Sequence, residues 1–337
     1  MLSLSKHVQH AHRIDAPFDK LRANGLGTRM PALPPLALIA GPTASGKSAL
    51  ALALAQRSGG VIINADASQV YAELRIVTAR PSVEEEALAE HHLFGHVDAA
   101  DTGYSAARWA DEARATIIAA HDSGRLPILV GGTGLYMRTL LDGIAPIPNI
   151  DADIRAAVRA LPVPEAYAAL EAEDPAAAQL LAPADSARIA RALEVVRSTG
   201  RPIGEWREKR SGGIGDAVDL RALILLPDRD WLNARIDARF EGMLANGAIE
   251  EVAALLSRTD VPRDAPILRA IGVPEIARLL GGTLTGAEAS ASGALASRQY
   301  AKRQYTWFRN QPPPTWRRIS LSESYAEDDL LEILLRD

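Results

Sequence analysis

Apolar residues follow two patterns along this chain. Short continuous runs, at Leu36 to Ala40 (LALIA), Val61 to Asn64, Leu126 to Val130 and Leu223 to Leu226 (LILL), are separated by stretches where apolar residues fall on one helical face, such as SALALALAQRSGG after the first run. Continuous runs suit strands buried on both faces, so the pattern predicts an α/β fold: a parallel sheet flanked by crossover helices. Functional groups in such sheets gather at the carboxyl ends of the strands. Between about Pro146 and Gly213 the pattern changes to alanine-rich helical segments, with Asp151 and Asp185 as N-caps and Gly200 as a terminator. This reads as an all-α insertion over 146–213 within a core formed by 34–145 and 214–337, or as further crossover helix in one continuous domain. A further long helix is expected from Asp230 to Leu256, its apolar face carrying Leu232, Ile236, Phe240, Met243 and Leu244. Residues 1–33 show neither period and read as a disordered extension, or as one that precedes a true start at Met30.

Composition narrows the chemistry. At 337 residues and 47% hydrophobic the chain can bury a sizeable core. No apolar run reaches the roughly 18 residues of a membrane span, and no secretory leader is visible, so a cytosolic protein is expected. The absence of cysteine excludes disulfides, thiolate zinc sites and cysteine nucleophiles. A metal would be held by oxygen or imidazole, and magnesium beside phosphates suits that restriction. A net charge of -5 argues against indiscriminate nucleic-acid coating but leaves a local basic face open.

Residues Gly41, Pro42, Thr43, Ala44, Ser45, Gly46, Lys47 and Ser48 spell the phosphate-loop pattern G-x-x-x-x-G-K-S between a strand and a helix. Glycines allow close backbone approach, amides at the helix start donate to phosphate oxygens, Lys47 adds charge, and Ser48 can ligate Mg²⁺. The expected architecture is therefore a P-loop NTPase-like sheet. ATP or GTP is the usual cargo of such a nucleotide-binding loop. The base-reading N-K-x-D of GTPases is absent, however, and the third apolar run leads into GGTGLY rather than into a magnesium-binding Asp.

Asp66 follows the second apolar run, which in a parallel sheet puts it at the same edge as the phosphate loop. Small-molecule kinases place a carboxylate there to orient or deprotonate an attacking hydroxyl, so a kinase remains an alternative. On its own Asp66 also reads as a solvated loop carboxylate.

Several segments, in order, resemble the tRNA dimethylallyltransferases: GPTASGKS, NADASQVY (64–71), VTARP (77–81), LPILVGGTGLY (126–136), ARIARALEV (187–195), RIDARF (235–240), LRAIG (268–272) and SRQYAKRQYTWFRN (297–310). The resemblance spans about residues 35–320. It implies transfer of a dimethylallyl group from dimethylallyl diphosphate to the exocyclic N6 of the adenosine beside a tRNA anticodon, with Mg²⁺, by a monomer. An enzyme prenylating free adenine nucleotides and a non-catalytic nucleotide-dependent RNA-binding protein are further alternatives. By resemblance Asp66 is the catalytic base, Thr43 lies between loop and substrate, and Lys47 and Arg239 hold the diphosphate. Arg235 and Arg239, four apart on one helix face, suit a bidentate diphosphate clamp, and equally a solvated surface.

For the RNA, the resemblance points to Asp66, Ala67, Ser68 and Gln69, to Thr133 in the glycine-rich turn, to Ala187, Arg188, Ile189, Ala190 and Arg191 in the insertion, and to Arg269. Arg155 is a further candidate in the insertion, which is expected to grip the anticodon stem-loop while the adenosine is flipped from its stack. Arg298, Lys302 and Arg309 form one stripe of the last helix, suited to RNA phosphates or to solvent, with Tyr300, Gln304 and Trp307 nearly opposite. One departure is recorded: Val273 and Pro274 follow LRAIG, where many relatives carry an aromatic and then a basic residue.

Overall fold

A computed structural model describes residues 32–320 and 327–336. The expectations for the N-terminal extension and for Met30 lie outside the described residues. Six strands form one wholly parallel sheet: β1 (Pro35–Ala40), β2 (Val61–Asn64), β3 (Glu90–His92), β4 (Pro127–Gly131), β5 (Asp219–Leu225) and β6 (Arg317–Ile319), in the order β3-β2-β4-β1-β5-β6. The four apolar runs are its inner strands. Alternate residues of each feed opposite cores: Leu36, Leu38, Ile63 and Leu129 join one, while Ala37, Ile39, Ile62 and Ile128 join the other. Burial on both faces is why those strands lack a polar period. The edge strands β3 (EHH) and β6 (RRI) are short and polar, so no apolar run announced them.

The crossover helices follow the chain order. Helix α1 (Lys47–Ser58) leaves the phosphate loop and stops at Gly59, whose φ of 64° suits a glycine C-cap. Helix α2 (Val83–Leu88) opens with a Ser82–Glu85 capping box, and α3 (Ala106–Asp122) and α4 (Gly134–Asp142) flank β4. The chain then leaves the sheet through an antiparallel bridge, Ile144 to Ser211.

Between the two ends of that bridge lie α5 (Ala152–Ala160), α6 (Val163–Glu173), α7 (Pro175–Leu180), α8 (Ser186–Thr199) and α9 (Ile203–Arg207). They surround a core of their own, centred on Val158, Leu170, Ile189, Leu193, Val195 and Ile203. Asp151 accepts from the amides of Asp153 and Ile154, and Asp185 from that of Arg188, so both are N-caps. The buried Asp174 carboxylate accepts from Ala177 N (3.0 Å) and Ile203 N (3.1 Å), fixing α9 against α7.

The long helix expected after β5 is two. Helix α10 (Arg229–Ala245) ends at Asn246, and Gly247, at φ 102°, turns the chain into α11 (Ala248–Ser257). Helix α12 (Val273–Leu280) follows, and then α13 (Gly286–Asn310), a 25-residue helix opened by a Thr285–Glu288 capping box. Leu330, Leu331 and Leu334 of α14 (Glu327–Leu335) close the second sheet core.

Candidate active site at the carboxyl edge of the sheet

The phosphate loop leaves β1 at Gly41, where a Cβ would stand 2.6 Å from the carbonyl of Leu225 in the neighbouring strand. Only glycine fits so close a backbone. Gly46, at φ 91°, turns the loop into α1, whose first amides have no side-chain cap and so present donors to an anion. Lys47 Nζ folds back to Pro42 O at 3.2 Å. Burial pulls the Lys47 ammonium down to about 8, with Asp66 opposing that shift and Arg239 adding to it. Thr43 is held twice: its amide donates to Gln304 Oε1 of α13 (2.8 Å), and its hydroxyl accepts from Arg239 Nη2 of α10. Ser48 is exposed toward the cavity in the first turn of α1.

Asp66 stands just past β2 and is 7% exposed. Asn64 shapes the turn beneath it, accepting from Asp66 N (2.8 Å) and donating to Asp66 O (3.0 Å) and Leu93 O (2.9 Å). Asp66 Oδ1 accepts from Ser68 N (3.0 Å) and Ser68 Oγ (2.7 Å). Oδ2 takes no hydrogen bond from any described residue, although the Lys47 and Arg239 charges act on the carboxylate. The arrangement fixes one oxygen and leaves the other able to take a proton.

The GGTG turn after β4 explains its own glycines. A Cβ on Gly131 would overlap the Ala65 carbonyl, one on Gly132 the Gln304 amide, and one on Gly134 would lie 2.5 Å from the Trp307 ring. Helix α13 therefore lies directly on the strand ends. Gln304 Nε2 donates to Gly132 O (2.9 Å), and Thr133 Oγ1 accepts from Ala67 N (2.9 Å) and bonds the Tyr300 side chain. Burial, with help from the Asp66 charge, pushes the Tyr300 phenol up, so it stays protonated.

These elements enclose a cavity of about 560 Å³. Thr43, Lys47, Ser48, Asp66, Ala67, Ser68, Gln69, Thr133, Arg239 and Arg269 all line it. Gly41, Pro42, Ala44, Ser45 and Gly46 form the loop behind those groups, and Ala44 packs under Leu232, Ile236 and Ala301. Gln69 also ties the next segment, donating to Thr78 O (2.9 Å) and Ala79 O (2.8 Å).

Other candidates sit elsewhere. Arg235 does not line the cavity beside Arg239: its guanidinium stacks 4.6 Å above the Trp231 ring. Arg298 of the basic stripe pairs with Asp237, whereas Lys302 and Arg309 are exposed. Arg155, Ala187 and Arg188 are exposed on the α5–α9 unit, Arg188 within 3.5 Å of Asp185, and Arg191 is 3.6 Å from the buried Glu194. Ala190 is partly buried there, and Ile189, at 0% exposure, is a core residue whose side chain meets no solvent. Val273 is buried, which leaves Pro274 as the exposed member of that pair.

Sequence reasoning missed Tyr71, Tyr104, Tyr136 and Arg303, which also line the cavity, and it read Tyr300 and Gln304 only as packing. It missed Glu251 as well. From α11 this carboxylate accepts from the amides of Ile76 (2.9 Å) and Val77 (2.9 Å) and so holds the cavity wall. The crowded glycines of GGTG were the one available signal that another element presses on that edge.

The family model for IPP transferases matches residues 69–311. A tRNA dimethylallyltransferase of Sphingopyxis alaskensis is 60% identical over 303 residues, 90% of this chain and 98% of that protein. One from Erythrobacter litoralis is 60% identical over 291 residues, 85% and 91% of the two chains. Among solved structures, a full-length tRNA isopentenylpyrophosphate transferase of Bacillus halodurans is similar with a TM-score of 0.63 at 34% identity, covering 89% of this chain and 94% of its own. A eukaryotic dimethylallyltransferase acting on tRNA is similar with a TM-score of 0.71 at 29% identity, covering 82% and 70%.

Proposed function

This chain belongs to the tRNA dimethylallyltransferase family, prenyltransferases built on a P-loop-like parallel sheet, and from that premise we propose how its cavity carries out the transfer. The donor is dimethylallyl diphosphate, and the acceptor is the N6 amine of an adenosine flipped from the anticodon loop of a tRNA. The observation that carries this reading is that Asp66, with one free carboxylate oxygen, shares a single cavity with Lys47 and with Arg239 bonded to Thr43. A base and an anion cradle thus face each other.

An exocyclic adenine amine is a poor nucleophile because its lone pair is delocalised into the ring. Asp66 Oδ2 takes the N6 proton as the new C–N bond forms, while Oδ1 stays tied to Ser68. The allylic C–O bond breaks, and the departing diphosphate charge is met by the loop amides, Lys47 and Arg239. The charge of an arriving phosphate tightens the hold on the Lys47 proton that burial loosens.

Mg²⁺ fits only as a partner of the phosphates. No group of three His, Asp or Glu that could hold a metal exists among the described residues, but the exposed Ser48 hydroxyl beside Lys47 offers one oxygen ligand. Bound there, the ion would supply further positive charge to the leaving group.

The α5–α9 unit grips the anticodon stem-loop, with Arg155 and Arg188 exposed for phosphate contacts, and Arg269 and Arg303 flank the entrance of the flipped base. Offsetting the few kcal/mol of unstacking falls to these contacts. The working unit in this reading is a monomer. No helix among the described residues is long and apolar enough to cross a membrane. We place the enzyme in the cytosol with its RNA.

The test supplies purified protein with unmodified tRNA and either dimethylallyl diphosphate or ATP, followed by mass spectrometry of the nucleosides. Dimethylallyl adenosine is the expected product. ATP consumption without it would return the site to the kinase reading.

A further inference from the structure

Glycine in the interior of a helix lowers stability by about 1 kcal/mol relative to alanine, so a glycine in the middle of α13 asks for a packing reason. Gly293 has one. A Cβ there would overlap Cζ and Cε1 of Phe240, so the ring sits in a socket that only glycine leaves open. Gly272 also borders the ring: a Cβ there would be 3.4 Å from Cε2 and 2.9 Å from Val77 Cγ1. Phe240 is 4% exposed, yet its ring forms part of the cavity wall together with Ile236 and Met243, one turn before and after it on α10.

The residue before it is Arg239, bonded to Thr43 of the phosphate loop. We propose that a donor whose diphosphate rests on Arg239 lays its hydrocarbon along the row Ile236, Phe240 and Met243, and that Phe240, seated to a fixed depth by Gly293, is the gauge that limits the prenyl donor to one isoprene unit. The inference rests on the reading of the site as a prenyl transferase and adds the element that selects chain length. The phenyl ring has six carbons, close to the five that separate a geranyl from a dimethylallyl group. The ring thus fills the room a second isoprene unit needs. A hydrophobic wall discriminates between homologous chains by roughly 10- to 200-fold per methylene-sized change, enough for such a gauge.

The two partners act on the same wall. Phe240→Ala opens it, whereas Gly293→Ala puts a methyl where the ring stands and displaces the ring from its seat. The longer donor reacts by the same balance: its C1–O bond breaks, the C1–N6 bond forms, the amine proton goes to Asp66 and diphosphate leaves.

The experiment measures kcat/KM for dimethylallyl diphosphate and for geranyl diphosphate on one unmodified tRNA, with nucleoside mass spectrometry, for the wild type, Phe240→Ala, Phe240→Leu and Gly293→Ala. Expected results are geranyl adenosine from Phe240→Ala, a geranyl preference raised at least about tenfold over wild type, and a smaller rise for Phe240→Leu. Gly293→Ala should lose about tenfold in kcat/KM for the short donor and melt earlier through overpacking against the ring, and adding Phe240→Leu to it should restore the short-donor rate. A short-donor rate that stays low in the double variant would mark Gly293 as ordinary packing and overturn the socket. Active Phe240 variants with wild-type selectivity would overturn the gauge while leaving the transferase reading standing. A wild type that makes no dimethylallyl adenosine overturns that reading and the gauge with it.

Discussion

Replacing Asp66 by asparagine isolates the proton-transfer step. The amide is isosteric, and its oxygen can keep both bonds that Oδ1 makes to Ser68, so the turn set by Asn64 should survive. What is lost is the free oxygen. An uncharged NH2 then faces Lys47 and Arg239, and the support Asp66 gives to the Lys47 charge disappears as well. General-base catalysis accounts for about 100- to 10,000-fold, so single-turnover chemistry should fall at least about 100-fold, or ~2.7 kcal/mol in barrier. The assay is rapid-quench transfer with enzyme in excess and saturating donor, alongside filter binding of tRNA. RNA binding should change less than about threefold, because the residue's charge lies inside the cavity rather than on a phosphate-tracking surface. A single-turnover rate within about threefold of wild type would refute the assignment of Asp66 as base.

Four further outcomes follow. Since the free enzyme's Lys47 titrates at about 8, kcat/KM for the donor should fall as pH rises through that value, and Lys47→Arg should shift the limb upward while keeping part of the activity. The same group affects folding: its proton is held more weakly folded (about 8) than unfolded (10.5), so its share of stability is lowest below pH 8 and recovers between pH 8 and 10.5, which Asp66→Ala should accentuate in pH-dependent unfolding. Gln304→Ala removes the bonds to Thr43 N and Gly132 O, leaving two backbone groups unpaired at a cost of about 2–3 kcal/mol, and should raise the donor KM more than it lowers kcat; an unchanged KM in a variant that melts earlier would confine Gln304 to stability. Asp174→Ala strips two charge-assisted bonds from the α5–α9 core and should loosen that unit by roughly 2–4 kcal/mol, seen as faster amide exchange in α7 and α9 and weaker tRNA binding, with donor binding intact.

Local patterns carried some elements well and others not at all. The inner strands were legible because burial on both faces forces an unbroken apolar run, whereas β3 and β6, each paired on one side only, carry no such record. The split between α10 and α11 was overlooked although Asn246-Gly247 is a turn dipeptide, because the apolar spacing continues across it. Ile189 fell inside a segment assigned to RNA as a block, although its position on α8 points to the core of that unit.

The sequence by itself determined the G-x-x-x-x-G-K-S loop, because that pattern is eight contiguous residues between a strand and a helix. It also determined Asp66 as a strand-end carboxylate at the same sheet edge, since parallel pairing puts all strand ends together. Which of the two arginines reaches the loop was decided by the tertiary structure: Arg239 bonds Thr43 while Arg235, one turn away, stacks on Trp231. So was the role of α13, whose Gln304 binds Thr43 from 261 residues away and whose Gly293 seats Phe240. Contacts of that range depend on how helices settle over the strand ends, and a helix shows by its period only which face is covered, not what covers it.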